Sequence, residues 1–308
     1  MADRLRAWWE GCAVADIVDQ PPALPAERDP APLAEVPERP AANVETFSED
    51  PADGRYWTPR RIAVAERLWG EGEIAPGGVE RTLDMIRVFG LRKEVNVLNI
   101  GPGLGGTAHH IAKEFDAWVI GYEEDPYLVE AAVDRMARAG LSKKAEMNQA
   151  DFAELELRAN IFDCAFGRET LYTVADRENL LMAIQDGLKA HCPLLFSDYF
   201  VARGREDDAE VHRWMEAEPE TVHPWSIEEA EEVLCQTNFE LRVIEDMSAT
   251  IRDDVFAGWA RFVEAHKATG IPPDLMEAVL DAAELWARRV AALDSGAVSV
   301  QKIFALKI

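Results

Sequence analysis

Basic residues are scarce in this sequence. It sets 32 Lys and Arg against 57 Asp and Glu, a formal charge of −25 over 308 residues. A general nucleic-acid binder needs a basic footprint for phosphate, and adhesion to anionic membrane surfaces needs the same, so both are excluded. The balance favours a small cationic or neutral partner. Cysteine is scarce too. Cys12, Cys164, Cys192 and Cys235 stand far apart, with no CxxC or zinc-finger spacing. That argues against a disulfide framework and for free thiols in a reducing, cytoplasmic setting. Nothing approaches the ~18 consecutive apolar residues of a membrane span, and the N-terminus lacks the apolar core and cleavage site of a signal peptide. What remains, 48% hydrophobic and 29% charged residues, is the composition of a globular chain. Its length suits one large α/β domain with additions and needs no structural metal to fold.

The organisation changes along the chain. Arg4 to Val18 reads as a short helix with Leu5, Trp8 and Trp9 on its apolar side. Gln20 to Asn43 is dense in proline, which fixes φ and removes donors, so an extended linker is expected. The Trp8–Trp9 pair either docks on the body or a partner, or enters a membrane interface. Docking is favoured because only Arg4 and Arg6 supply cations there. We place an arm and linker at 1–50 and a single domain at 51–308. In that domain a helix is predicted over Thr58–Leu68, a glycine loop over Trp69–Gly78 and a helix over Val79–Phe89.

Strands and helices then alternate. Strands are predicted at Asn96–Ile100, Trp118–Tyr122, Ile161–Phe166, Leu194–Tyr199, Glu240–Glu245 and Ser299–Leu306, with a short third strand before Ala150. Helices are predicted near Thr107–Glu114, Pro126–Ala139, Glu178–Leu188 and Ser226–Thr237, with two longer ones between Asp253 and Leu293. This alternation specifies a mostly parallel sheet covered by helices.

Three places carry chemistry. Val97-Leu-Asn-Ile-Gly101-Pro-Gly103-Leu-Gly105-Gly106 is an apolar strand that ends in a glycine-rich turn and feeds a helix. Glycines there let the backbone approach a ligand. Twenty residues on, Glu123 sits where the next strand should stop, a position that can accept both hydroxyls of an adenosine ribose. Glu124 and Asp125 read either the same way or as caps before Pro126. In Ala150-Asp151-Phe152, the acid can accept an adenine amino group with the ring of Phe152 against the base.

Together these residues resemble class I S-adenosylmethionine-dependent methyltransferases, and among them the phosphoethanolamine and related small-amine N-methyltransferases. The resemblance runs from about Trp57 to the C-terminus. It rests on Trp69-Gly-Glu-Gly-Glu-Ile-Ala-Pro-Gly-Gly78, the Gly101–Gly106 loop, Phe162-Asp-Cys-Ala-Phe-Gly-Arg-Glu-Thr170 and Leu195-Phe-Ser-Asp-Tyr199. It implies a Rossmann-like seven-stranded sheet with helices on both faces. The last strand would run antiparallel at the end of the sheet, and a helical insertion (253–293) would lie over the pocket. It implies S-adenosyl-L-methionine as cofactor. Ile74 to Gly78 would close over the methionine end, with Gly101 and Gly103 beside it and Asn99 at the strand end. Glu123 would hold the ribose, and Asp151 and Phe152 the adenine. Arg168 and Glu169 would border the methyl group, and Tyr199 would line the acceptor pocket.

Four departures stand against the family pattern. Asn99 replaces an Asp, Thr173 falls at the catalytic His, Trp57 falls at its partner Tyr with Tyr56 adjacent, and Lys189-Ala-His-Cys-Pro193 replaces a Lys-Pro-Gly-Gly turn. The cofactor side is mostly kept and the proton-handling side is not, which leaves three readings: an acceptor that is already nucleophilic, a base drawn from Glu169, Tyr172 or Tyr199 with Tyr56 beside them, or no catalysis. Two functions follow: methyl transfer to a small amine or lipid head-group, or a catalytically silent cofactor-binding subunit that regulates or scaffolds a partner. The glycine loops weigh for the enzyme. The six histidines show no metal-ligand spacing. Trp259, Phe262 and Trp286 read as core before they read as a cage for a quaternary amine. The acidic runs Glu206–Glu210 and Glu228–Glu232 read as solvated faces. The arm and the insertion helices are the candidate homodimer contacts.

Overall fold

The computed structural model describes residues 55–308. The Arg4–Val18 helix, the proline linker and the boundary at residue 50 lie outside the described residues. Strands β1 (Asn96–Ile100), β2 (Trp118–Glu123), β3 (Ala145–Gln149), β4 (Cys164–Arg168) and β5 (Pro193–Val201) run parallel, and β7 (Val298–Lys307) runs antiparallel both to β5 and to β6 (Phe239–Asp246). The sheet order is β3-β2-β1-β4-β5-β7-β6. β7 is antiparallel as expected but lies one place in from the edge, because it pairs with β5 on one side and β6 on the other. Val97, Leu98 and Ile100 of the central β1 are wholly buried, as a strand covered on both faces must be.

The helices are α1 (Pro59–Trp69), α2 (Gly78–Ile86), α3 (Gly106–Glu114), α4 (Pro126–Arg138), α5 (Arg177–Gly187), α6 (Ala209–Ala217), α7 (Ile227–Gln236), α8 (Ser248–His266) and α9 (Met276–Asp294). Their starts follow local chemistry. Thr58 caps α1 ahead of Pro59, Asp125 caps α4 ahead of Pro126, and Ser226 with Glu229 forms a capping box on α7.

Three differences from expectation matter most. The fourth strand begins at Cys164 rather than Ile161, since Phe162 makes only an isolated bridge to Leu188. It runs on through Gly167, where a Cβ would stand 3.0 Å from the Ile100 carbonyl oxygen. The insertion begins at Ser248, five residues before Asp253. The acidic run at Glu206–Glu210 is in part the start of α6, with Asp208 as its cap and Val211 and Trp214 buried beneath.

α1 leads into the glycine loop and packs against both insertion helices. Gly258 of α8 makes one of these contacts possible, because a Cβ there would stand 2.3 Å from the Trp69 ring. Trp259 and Phe262 are core, whereas Trp286 of α9 lines the cleft beside the strand ends. Of the two insertion helices, α9 lines the cleft, through Ala278, Ala282, Leu285, Trp286 and Arg289.

Candidate active site

β1 delivers the chain to a turn that only glycine permits. Gly101 and Gly103 take φ of 64° and 55°. A Cβ on Gly101 would stand 2.2 Å from Thr170 Oγ1, and one on Gly103 2.9 Å from Ile74 Cδ1. Glu123, at the end of β2, accepts three backbone hydrogen bonds. Gly103 N–H donates to Oε2 at 3.0 Å, and Glu124 and Asp125 N–H donate to Oε1 at 2.9 and 3.2 Å. Burial still pushes its carboxyl up to about 7, with those N–H groups pulling the other way. The result is a carboxylate whose direction is set by the glycine turn itself.

The neighbouring acids take separate tasks. Asp125 caps α4 by accepting from Tyr127 and Leu128 N–H at 2.8 and 3.0 Å. Glu124 accepts from Phe152 N–H at 3.0 Å, which ties the end of β2 to the turn after β3. Asp151 is exposed and caps its own turn by accepting from Ala153 N–H at 2.9 Å. Phe152 is buried and lines the cleft, whereas Asp151 is not among the lining residues.

The cleft continues from this corner to the insertion. Asn99, Gly101, Glu123 and Phe152 line one end, and Tyr56, Trp57, Tyr172, Tyr199, Trp286 and Arg289 line the other. Between them lie Ile74, Arg168 and Glu169. Arg168 is fixed against the glycine loop. Its Nη1 donates to Thr82 Oγ1 at 2.8 Å and to Gly78 O at 3.4 Å, and its Nη2 donates to Pro76 O at 2.9 Å. Gly78 acts through its backbone: a Cβ there would stand 2.3 Å from the Trp69 carbonyl oxygen. Glu169 has a left-handed φ of 44°, accepts from Ser197 Oγ at 2.6 Å through Oε1, and holds Oε2 without a hydrogen-bond donor, 3.4 Å from Arg168 Nη2. Thr173 Oγ1 donates to the Thr170 carbonyl at 2.9 Å and supplies no base. Burial pushes the hydroxyls of Tyr56, Tyr172 and Tyr199 above their ordinary range. They therefore keep their protons near neutrality and act as donors, not bases.

A glycine cradle closed to any Cβ, a directed carboxylate and an aromatic face form one corner, and this donor set fits a nucleoside with a free ribose. Residues 97–191 match the family model described as a methyltransferase domain. These residues form a methyltransferase domain of the class I S-adenosylmethionine-dependent kind. The chain is 31% identical over 134 residues to phosphoethanolamine N-methyltransferase 1 of Arabidopsis thaliana, covering 44% of this chain and 27% of the relative. It is 25% identical over 198 residues to the phosphoethanolamine N-methyltransferase of Plasmodium falciparum, covering 64% of this chain and 73% of the relative. The chain thus spans about a quarter of the length of its Arabidopsis relative.

Among solved structures, phosphoethanolamine N-methyltransferase 2 of Haemonchus contortus, in complex with phosphomonomethylethanolamine and S-adenosylhomocysteine, superposes with a TM-score of 0.70. It is 22% identical, and the match covers 80% of this chain and 57% of that one. The [4+2]-cyclase SpnF superposes at 0.60 with 21% identity, covering 81% and 92%. These likenesses concern the fold of the methyltransferase domain.

The structure brings together Tyr56, Ile74, Asn99, Gly101, Glu123, Phe152, Arg168, Glu169 and Tyr199 around one cleft, with Gly103 and Gly78 bonded to its walls. Three residues of this methyltransferase site escape sequence reasoning. Glu73 lies inside the glycine loop, where its buried carboxylate accepts from Thr107 Oγ1 at 3.0 Å. Arg289 and Glu218 come from the insertion and from the segment after α6, far from any motif. The only signal was the Trp286/Arg289 spacing, which puts both on one helical face.

Proposed function

We propose that this chain transfers a methyl group from S-adenosyl-L-methionine to a small-molecule amine. The observation that carries this reading is the continuity of the cleft from the Glu123–Gly103 corner to the aromatic chamber under α9. Glu123 would accept the ribose hydroxyls, Phe152 would flank the base, and the Gly101–Gly103 backbone would pass beside the methionine end. Bound there, the cofactor supplies a methyl group on a sulfonium. The remaining work falls to the chain: Arg168 holds the glycine loop closed, and the rings of Tyr56, Trp57 and Trp286 exclude water. Glu169 Oε2, which no donor satisfies, takes the proton of the acceptor amine.

Titration calorimetry should show S-adenosylhomocysteine binding in the micromolar range, about −8 kcal/mol. Glu169→Gln should lower kcat by about 10²-fold or more on the accepted amine while leaving cofactor affinity within about twofold. No binding at millimolar cofactor would refute the reading. A second reading, a cofactor-binding subunit without turnover, is favoured by one observation: Thr173 and the buried tyrosines offer no base, so everything rests on Glu169. Cofactor binding without product formation across a panel of amines would establish it.

A further inference from the structure

The charges lining the cleft are lopsided. Among the described residues, carboxylates come from Glu73, Glu123, Glu124, Glu169 and Glu220, and cations only from Arg61, Arg168 and Arg289. Each guanidinium is already engaged by the chain. Arg61 donates to Asp281 Oδ2 at 2.7 Å and to the Tyr56 carbonyl at 2.8 Å. Arg168 is spent on the glycine loop, and its remaining Nε is buried out of reach. Arg289 is the one that lines the acceptor chamber, and its Nε and Nη2 are both held by the chain. Its Nε donates to Glu218 Oε1 at 2.8 Å and its Nη2 to Glu218 Oε2 at 2.6 Å, with a further bond to Tyr172 Oη at 3.1 Å. Glu218 also accepts from Tyr172 Oη at 3.2 Å and from Trp214 Nε1 at 2.6 Å, and its side chain has no exposed surface.

A buried bidentate pair of this kind cannot lend its arginine to a ligand phosphate without stranding the carboxylate in the interior. A phosphate would meet masked arginines and an excess of carboxylates. A cation would meet Glu220 at the rim and rings that already attract cations. The Arg61 and Arg289 guanidinium carbons stand 4.4 and 4.5 Å from the ring centres of Tyr56 and Trp286. Resting on the proposed function, we infer that this cleft takes a cationic amine that carries no phosphate, and that Glu218 sets this selection by occupying Arg289.

The probes are tetramethylammonium, which is charge and methyl groups alone, and inorganic phosphate. Both are titrated calorimetrically into the full chain at about 150 mM salt, where exposed charges are screened. The protein is first saturated with S-adenosylhomocysteine. Failure of that first step refutes the proposed function, and the selection is then read on the free protein. Wild-type protein should bind tetramethylammonium and bind phosphate at least about tenfold more weakly, if at all. Glu218→Gln keeps an acceptor for Trp214 but frees Arg289, and phosphate affinity should rise at least about tenfold. Glu220→Gln, at an exposed site that tolerates substitution, should weaken tetramethylammonium severalfold and keeps the selection testable should Glu218→Gln fail to fold. Three results would each overturn the inference: wild-type protein that binds phosphate as well as the cation, one that binds no cation, or a folded Glu218→Gln protein with no gain in phosphate affinity.

Discussion

Glu123 gives the proposed cofactor site a testable pH signature. Burial holds its carboxyl at about 7 against an ordinary 4.5. Ribose hydroxyls bond best to the ionised form, so affinity for S-adenosylhomocysteine should follow the ionised fraction. That fraction is about nine-tenths at pH 8, half at pH 7 and one-tenth at pH 6, a loss of about tenfold from pH 8 to pH 6. Glu123→Gln should flatten this profile and weaken binding at pH 8 by about 1.5–3 kcal/mol, the cost of losing a charged partner. Stability moves the other way. A carboxyl raised in the folded state contributes stability below its unfolded value of 4.5 and loses it as pH rises through about 7. The ligand-free Gln variant should therefore gain in Tm relative to wild type between pH 6 and pH 8. Calorimetry across that range measures the first effect and thermal melts the second. Glu73, Glu124 and Glu220, also raised by burial, line the same cleft, so any slope that survives in the Gln variant belongs to them. A wild-type profile that is flat from pH 6 to pH 8, or a Gln variant as tight as wild type at pH 8, would refute the assignment of the ribose to Glu123.

Gly101→Ala should destabilise the fold by about 1–3 kcal/mol and abolish cofactor binding, since its Cβ would stand 2.2 Å from Thr170 Oγ1 at a φ of 64°. A thermal melt and a binding titration check it, and an alanine variant with unchanged affinity would show that the turn is not the cradle. Gly258→Ala should cost about 1–3 kcal/mol by driving α8 off the Trp69 ring 2.3 Å away. Because Trp69 lines the cleft, acceptor KM should rise with it, and denaturant melts with steady-state kinetics separate the two effects.

The sheet was legible because its cues are local. The apolar run Val97–Ile100, the caps Thr58, Asp125 and Ser226, and the glycine density at Gly101–Gly106 each constrain their own few residues. The Glu123–Gly103 corner was legible for the same reason, as the two residues are twenty apart in one β-α-β unit. Where reading failed, the deciding partner was distant. The apolar character of Ile161 and Phe162 suggested strand, yet register with β1 starts pairing only at Cys164. The acid run Glu206–Glu210 is mostly solvated, as read, but the helix it opens went unseen because nothing nearby shows that Trp214 is buried against the insertion helix α9. The acceptor end is assembled from Tyr56, Tyr172, Glu218 and Arg289, separated by up to 233 positions and joined only by tertiary packing. No spacing rule reaches across such gaps. Asp151 shows the converse, a local motif whose Oδ1 is engaged in capping its own turn.

Asn99 and Glu73 pose the last question the site raises. The family resemblance expects a negative charge at the end of β1, facing the cationic part of the cofactor, and this chain has a neutral, buried amide there. The same cleft holds a carboxylate the resemblance does not account for. Glu73 is buried and uses Oε1 to accept from Thr107, and its Oε2 makes no hydrogen bond among the described residues. Burial raises its carboxyl, with Arg168 pulling it back down. A buried acid without a full set of partners is costly to keep, and a bound cation would offset that cost. Glu73→Gln is therefore expected to weaken S-adenosyl-L-methionine by about 1.5–3 kcal/mol with little change in Tm. Adding Asn99→Asp to that variant should restore much of the affinity by returning the charge to the strand end. Asn99→Asp alone should not tighten binding, since it places two carboxylates in one cleft. If Glu73 instead serves only the N-terminus of α3 and Arg168, the result separates cleanly: Glu73→Gln lowers Tm, leaves calorimetric affinity unchanged, and the Asn99→Asp addition rescues nothing.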